Sequence, residues 1–524
     1  MTSTGKTART ETETRDDDDK TSQTIPASRP SGRKPSSSSA TRSGPRAGNG
    51  GARAATDPEG PTGRLATWLA ATTLKDVPAP VREHAKHLML DGIGCALVGA
   101  QLPVSRIGVE GVTALDDAGS GTLIGWGGRT TSAPSAAMLN SSFIQGFELD
   151  DYHPLAPLHA NSLVLPAMLA AAPHVGPVSG ARFLLGAILG YETGPRVGLA
   201  LGGLDMISRG WHSGVVFGPL AAAASAGTLY GLDAAEFEDA LGIGATQSGG
   251  LMSAQFESMV KRMQHGFASR DGLTAAALAA SGYVGIKRVF ERSFGGWLST
   301  FGDCHETFPS EIYAGLGTVW QTQVYSIKPY AAMGLLHAAI DAALELRSKD
   351  KVSAEQIQHI EIDMPEAGYQ HGGWKAVRPL QPIGAQMSVA YTVAVAILDG
   401  TVLIDQFSEK RINADDVWNL IDRTDVHHEA SYDKLPVEDR LTTRVRLTLK
   451  DGRTVEKVVA HPRGTGDHQL SDADIVNKYR SLTRAVVSPT RQTAIEDTVL
   501  NLDGVEDISD LTALLTPTVA SALD

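Results

Sequence analysis

Residues 79–100 read APVREHAKHLMLDGIGCALVGA. Val81, Ala85, Leu88, Met89, Ile93, Ala96 and Leu97 recur at spacings of three and four, which places them along one face of a helix, and Pro80 falls in the first turn, where no donor is lost. The stretch predicts an amphipathic helix. Working outward, similar patterns return at 133–147, 162–172, 181–201, 215–230, 234–241, 272–280 and 333–346, while strand patterning is nearly absent before residue 320. Many of these segments carry Ala and Gly on several faces, which permits close helix approach and predicts a compact all-α bundle.

After residue 350 the period switches. Ile360, Ile362 and Met364 alternate with Glu361 and Asp363, and Val445, Leu447 and Leu449 lead through Asp451-Gly452 to a second alternating run at 455–459. Asp-Gly between two such runs predicts a hairpin. A further helix is expected at 387–398, and Ser471 with Asp474, then Ser488-Pro489, read as starts of terminal helices. The fold class expected is mainly α with an α+β second domain: a helical domain over 61–324, interrupted by a smaller α+β lid over 325–465 and completed by 466–524. Residues 1–60 contain no aromatic residue and hardly an aliphatic one beyond Ala, so disorder is expected there. Asp16 to Lys20 within that segment resembles an enteropeptidase site and is set aside from the fold.

Composition narrows the function. With 42% hydrophobic and 20% charged residues over 524 positions, neither wholesale disorder nor a fibrous repeat is tenable. A net charge of -13 argues against nucleic acid as a general partner, so any anionic ligand requires a local basic pocket. Two distant cysteines, Cys95 and Cys304, make neither a disulfide framework nor a zinc knuckle and fit a reducing compartment. The N-terminus lacks an apolar signal core, which leaves the cytoplasm as the expected location. The uncharged runs 152–181 and 210–232 are rich in Pro and His, or in Ala, Gly and Ser, and read as protein interior rather than membrane.

Chemistry-bearing residues cluster in a few places. Glu148-Leu149-Asp150-Asp151-Tyr152-His153, continuing to His159 and Asn161, ends a predicted helix and enters a proline-rich loop. Such a cluster fits a carboxylate-oriented acid/base histidine, a metal site, or capping and loop hydrogen bonds; the absence of HExxH or CxxC spacing disfavours metal. His212, ahead of an apolar helix, is either an ordinary cap or an imidazole tuned by the helix N-terminus. Residues 259–270 gather Lys261, Arg262, His265 and Arg270 between Ala/Gly-rich helices, as a solvated face or a basic pocket for a polycarboxylate. Lys328-Pro329-Tyr330 lies at the domain junction, a favoured place for a pocket. Tyr391, on an apolar helix, reads as core on pattern alone. Neither GxGxxG nor GxxxxGK[ST] occurs, and no nucleophile elbow is formed.

In this order and on this domain plan, the segments ELDDYHPLAPLH, RGWHSGVVFG, MSAQFESMVKRMQHGFASRDG, ERSFGG, KPYAAMGLLHA and GAQMSVAY resemble the MmgE/PrpD family of lyases and isomerases, most of all its fungal cis-aconitate decarboxylase branch. The resemblance runs from about Arg64 to the C-terminus. It implies a helical domain with an α+β lid, a homodimer, no metal and no organic cofactor. It makes His159, His212, Lys261 and Tyr391 catalytic, and Lys328, Lys261, Glu148 and Asp151 substrate-binding. The implied activity is loss of CO2 from a small tricarboxylate, cis-aconitate, with an allylic shift and protonation. The alternative is a 2-methylcitrate dehydratase-like hydro-lyase or a lyase or isomerase for a related acid. Where dehydratases of the family carry Asp-Thr-Trp and Pro-Ser, this chain has Asp151-Tyr152-His153 and Ala160-Asn161, which favours decarboxylation. A noncatalytic tricarboxylate-binding relative would share the pocket without turnover.

Overall fold

The helix predicted from residues 79–100 runs Ala79–Gly99, and its apolar stripe is so broad that nearly every residue after Lys86 is buried. The structure, a computed structural model, describes residues 52–256 and 258–523. Local chemistry sets the helix starts. Ser132 accepts from the Ser135 amide, Asp233 and Glu236 form a reciprocal capping box, and Ser471 with Asp474 forms another. Pro occupies the first turn of the helices Ala79–Gly99, Pro103–Thr113, Ala133–Ile144 and Pro489–Leu500.

The helix Ser213–Tyr230 is the centre of the bundle. Apolar or small on every face, it is surrounded by Ala160–Val175, Gly180–Ala200, Ala234–Ala245 and Val260–Ala280. Close approach needs missing side chains: a Cβ on Gly272 would lie 2.4 Å from the Ala222 Cβ and 2.5 Å from the Pro219 carbonyl oxygen. The uncharged runs are thus interior, and among the described residues no single helix is long and apolar enough to cross a membrane.

The later segment contains a four-stranded sheet in the order Thr424–His428, Ile357–Met364, Thr443–Leu449, Thr454–Val459. The expected hairpin is present, with Gly452 at a φ of 87° in its turn. Thr424–His428, unforeseen because all its residues but Val426 are charged or polar, pairs parallel to the strand Ile357–Met364. The helices His337–Ser348 and Val389–Asp399 pack together, and the first lies on the hairpin strands. The chain then returns to the bundle, where Asp472–Thr483 packs on Ala79–Gly99.

Two expectations change. The basic stretch 259–270 is not a break between helices: it is the first half of one helix, Val260–Ala280. Its periodicity was masked because the residues facing inward there are Lys261, Arg262, Gln264 and His265, all buried and polar. The disorder expected for 1–60 lies outside the described residues as far as residue 51, but residues 52–60 are placed against the bundle. Arg53 pairs with Asp233 and Glu236, the Thr56 amide donates to Glu238 at 2.8 Å, and Ala55 is buried, so a few specific contacts replace the apolar surface this segment lacks.

Candidate active site

The helix Ala133–Ile144 tightens into a 3-10 turn, Gln145–Phe147, and the next residue, Glu148, reverses the chain in a left-handed conformation with φ 54° and ψ 31°. That reversal turns the Glu148 carboxylate inward. Lys261 and Arg262, in the first turn of Val260–Ala280, both donate to its Oε1, and Lys328 donates to Oε2 at 3.0 Å. Lys328 is delivered by a two-residue ribbon: Ser326–Ile327 pairs antiparallel with Asp151–Tyr152 and sets the ammonium beside the acidic turn. Gln386 ties the later segment in, accepting from Arg262 and donating to the Phe147 carbonyl at 2.8 Å.

Burial would raise the Glu148 carboxyl, but Lys261, Lys328 and Arg262 outweigh it and hold the group well below the usual carboxylate range. Glu148 is therefore ionised. Asp150 is also lowered: burial opposes ionisation, while the His159 imidazole and Lys328 favour it. Lys261, desolvated and crowded by Arg262 and Lys328, is lowered to about 8 despite Glu148.

Two histidines stand at helix starts. His159 precedes Ala160–Val175, its Nδ1 3.2 Å from Asp150 Oδ2, and His212 precedes Ser213–Tyr230. With the first turn of Val260–Ala280, three helix N-termini meet here, each adding partial positive charge. Burial first, then Lys261 and His159, lowers His212 to about 3, so it is neutral at neutral pH while the site is empty. A bound polyanion favours the imidazolium and so raises that value.

These residues border a cavity of about 90 Å³ lined by Glu148, Tyr152, His159, His212, Lys261 and Lys328. Its apolar wall comes from Leu204, Ile207, Met252, Met333, Leu335, Met387 and Leu441, so the bundle and the later segment both contribute. Among the described residues, no three His, Cys, Asp or Glu side chains group as a metal site would.

His159, His212, Lys261, Lys328 and Glu148 are thus brought together as expected. Asp151 is not at the cavity: its carboxylate accepts from the Ala160 amide at 2.8 Å and the Asn161 amide at 3.2 Å, capping the helix that His159 precedes. Asp150, in the bend just before that ribbon, reaches His159 instead. Tyr391 is not at the cavity either. Buried on Val389–Asp399, it donates its hydroxyl to the Gln406 carbonyl and packs against Phe407, the core role its apolar helix predicts. Asp150, Arg262 and His265 stood in the clusters read from the sequence without a site role of their own, and Gln386 was given none. His265 follows Lys261 by four residues, a same-face spacing that could have singled it out.

Fold and site together define a largely helical protein with a cationic, imidazole-lined cavity. The chain belongs to the MmgE/PrpD family: the family's N-terminal domain matches residues 63–307 and its C-terminal domain residues 330–504. It is similar to a cis-aconitate decarboxylase-like protein of Aspergillus oryzae, 43% identical over 87% of this chain and 98% of the relative. It is also similar to the cis-aconitate decarboxylase of Aspergillus terreus, 40% identical over 88% and 97%, and to that of Homo sapiens, 28% identical over 83% and 90%.

Proposed function

We propose that this protein is a cis-aconitate decarboxylase, a carboxy-lyase that converts cis-aconitate to itaconate and CO2. The observation that carries the reading is the convergence of Lys261, Arg262 and Lys328 on one carboxylate, beside two imidazoles, at one cavity. Glu148 takes one hydrogen bond from each ammonium group, and each has two donors more, enough to grip the carboxylates of a small polyanion.

The chemistry follows from the substrate. The departing carboxylate sits on a CH2 group allylic to the double bond. As its C–C bond breaks, the electron pair forms the new methylene double bond, and the old one shifts onto the vinylic carbon, whose own carboxylate spreads the charge as a dienolate. A proton delivered to that carbon completes itaconate. The chain must therefore clamp the retained carboxylates, through Lys261 and Lys328, and donate one proton, through His212. The departing carboxylate is poorly solvated against Leu204, Ile207, Met252 and Met333, which favours release as neutral CO2. His159, held by Asp150, stands beside the donor.

In the same reading the later segment acts as a lid over the bundle, its Met387 and Leu441 reaching the cavity. A homodimer, supported by family membership, and a cytoplasmic location, supported by two unpaired thiols, belong to it as well. Light scattering and cell fractionation test these. The activity is tested by supplying purified protein with cis-aconitate and with 2-methylcitrate. Itaconate from the first is expected; water loss from the second without itaconate from the first overturns the reading, and ligand-induced thermal stabilisation without any turnover identifies a binding protein. His212→Ala and Lys261→Ala are each expected to lower decarboxylation by about 10² or more.

A further inference from the structure

Each turnover carries one proton from water to carbon: the cis-aconitate trianion plus H⁺ gives the itaconate dianion and CO2. The donor imidazole is left neutral and must be recharged, and His212, on the cavity wall, is itself buried. Directly behind it lies His265. Its side chain is fully buried, and neither ring nitrogen has a hydrogen-bond partner. An enclosed polar group left unpaired is destabilising, so its retention calls for a reason.

The packing around His265 is specific. Its ring meets His159 edge-on at a centroid distance of 5.1 Å and His212 edge-on at 5.0 Å. Gly214, in the first turn after His212, makes room for it: a Cβ there would stand 2.2 Å from His265 Nε2. His159 is the most exposed of the three, with 18% of its side chain accessible, and lies against the Asp150 carboxylate.

We propose that His265 relays protons from His159 to His212, recharging the donor after each turnover. The inference rests on the decarboxylase reading. The His159 imidazolium gives its N–H proton to the free nitrogen of His265, and the other nitrogen of His265 gives its proton to neutral His212. His159 is reprotonated from solvent, and His265, left as its other tautomer, resets by ring rotation. Small ring motions, fast on the turnover timescale, bring nitrogen to nitrogen. Besides the two imidazoles, the charged groups acting on His265 are Lys261, which disfavours its cation, and Glu148, which favours it; with burial they keep the resting ring neutral, with one nitrogen free to accept.

The test measures kcat and KM in His265→Gln and His265→Phe. Because the donor is neutral until a polyanion binds, every turnover draws on the relay, so kcat is expected to fall about tenfold or more in both variants while KM stays within about twofold of wild type. Free imidazole in the buffer is expected to restore part of the lost kcat. A loss of kcat that free imidazole does not restore means a packing role and overturns the proposal, as does wild-type kcat in the variants. Should neither variant fold, the wild-type enzyme decides: at about pH 8, where protons are scarce, kcat across H2O–D2O mixtures is expected to curve because at least two protons move, and a straight line overturns the relay. A wild-type protein that makes no itaconate overturns the decarboxylase reading instead, so the two failures are distinct.

Discussion

Glu148 holds a left-handed backbone conformation that costs a residue with a Cβ about 1–2 kcal/mol, and three cations meet on its carboxylate. Glu148→Gln removes the carboxylate on which Lys261, Arg262 and Lys328 converge inside the protein. Breaking a buried ionic group in this way costs about 3–5 kcal/mol, so a marked fall in melting temperature is expected; an unchanged melting curve contradicts the assignment. Lys261 gives a second prediction. Its free-state value of about 8 means that the ammonium loses its proton as pH rises through that value, and with it a carboxylate contact. KM for cis-aconitate is expected to rise above about pH 8 while staying flat below, in a profile that Lys261→Arg moves to higher pH because guanidinium stays charged. A KM independent of pH between about 7 and 9 counts against the clamp.

Among the elements, helix Ala160–Val175 carries the most direct test, because Asp151 caps it and His159 sits at its start. Asp151→Ala is expected to lower stability by about 1–2 kcal/mol in urea unfolding and to reduce kcat through His159; no change in stability contradicts the capping role. This position also shows what was legible in the sequence. Helices with an apolar face and a Pro or Ser start, such as Ala79–Gly99 and Pro489–Leu500, could be read directly, as could the Asp451-Gly452 hairpin. The first half of Val260–Ala280 could not, because apolar periodicity vanishes where a helix turns polar groups inward. The ribbon Asp151–Tyr152 with Ser326–Ile327 was illegible for another reason: two-residue strands far apart in sequence leave no pattern. Without that ribbon the exchange of Asp150 for Asp151 as partner of His159 could not be foreseen. Five of the seven site residues that the family resemblance implied nevertheless meet around the cavity; Asp151 and Tyr391 do not join them.

Over the whole molecule, the C-terminal return to the bundle supports the site from beneath. Lys478, on Asp472–Thr483, pairs with buried Asp91 of Ala79–Gly99 at 2.7 Å and donates to the Leu149 carbonyl, between Glu148 and Asp150. Lys478→Met strands the Asp91 charge and is expected to cost about 3–5 kcal/mol in unfolding, with much of that loss recovered when Asp91→Asn is added; if the second change recovers nothing, the pair is not what couples the last helices to the bundle. The central claim is that this scaffold removes CO2 from cis-aconitate and protonates the carbon that was vinylic. Proton NMR of the reaction in D2O tests it most directly. The account predicts itaconate with a single deuterium in its saturated CH2 group and none in its methylene. No itaconate, or deuterium in the methylene, contradicts it.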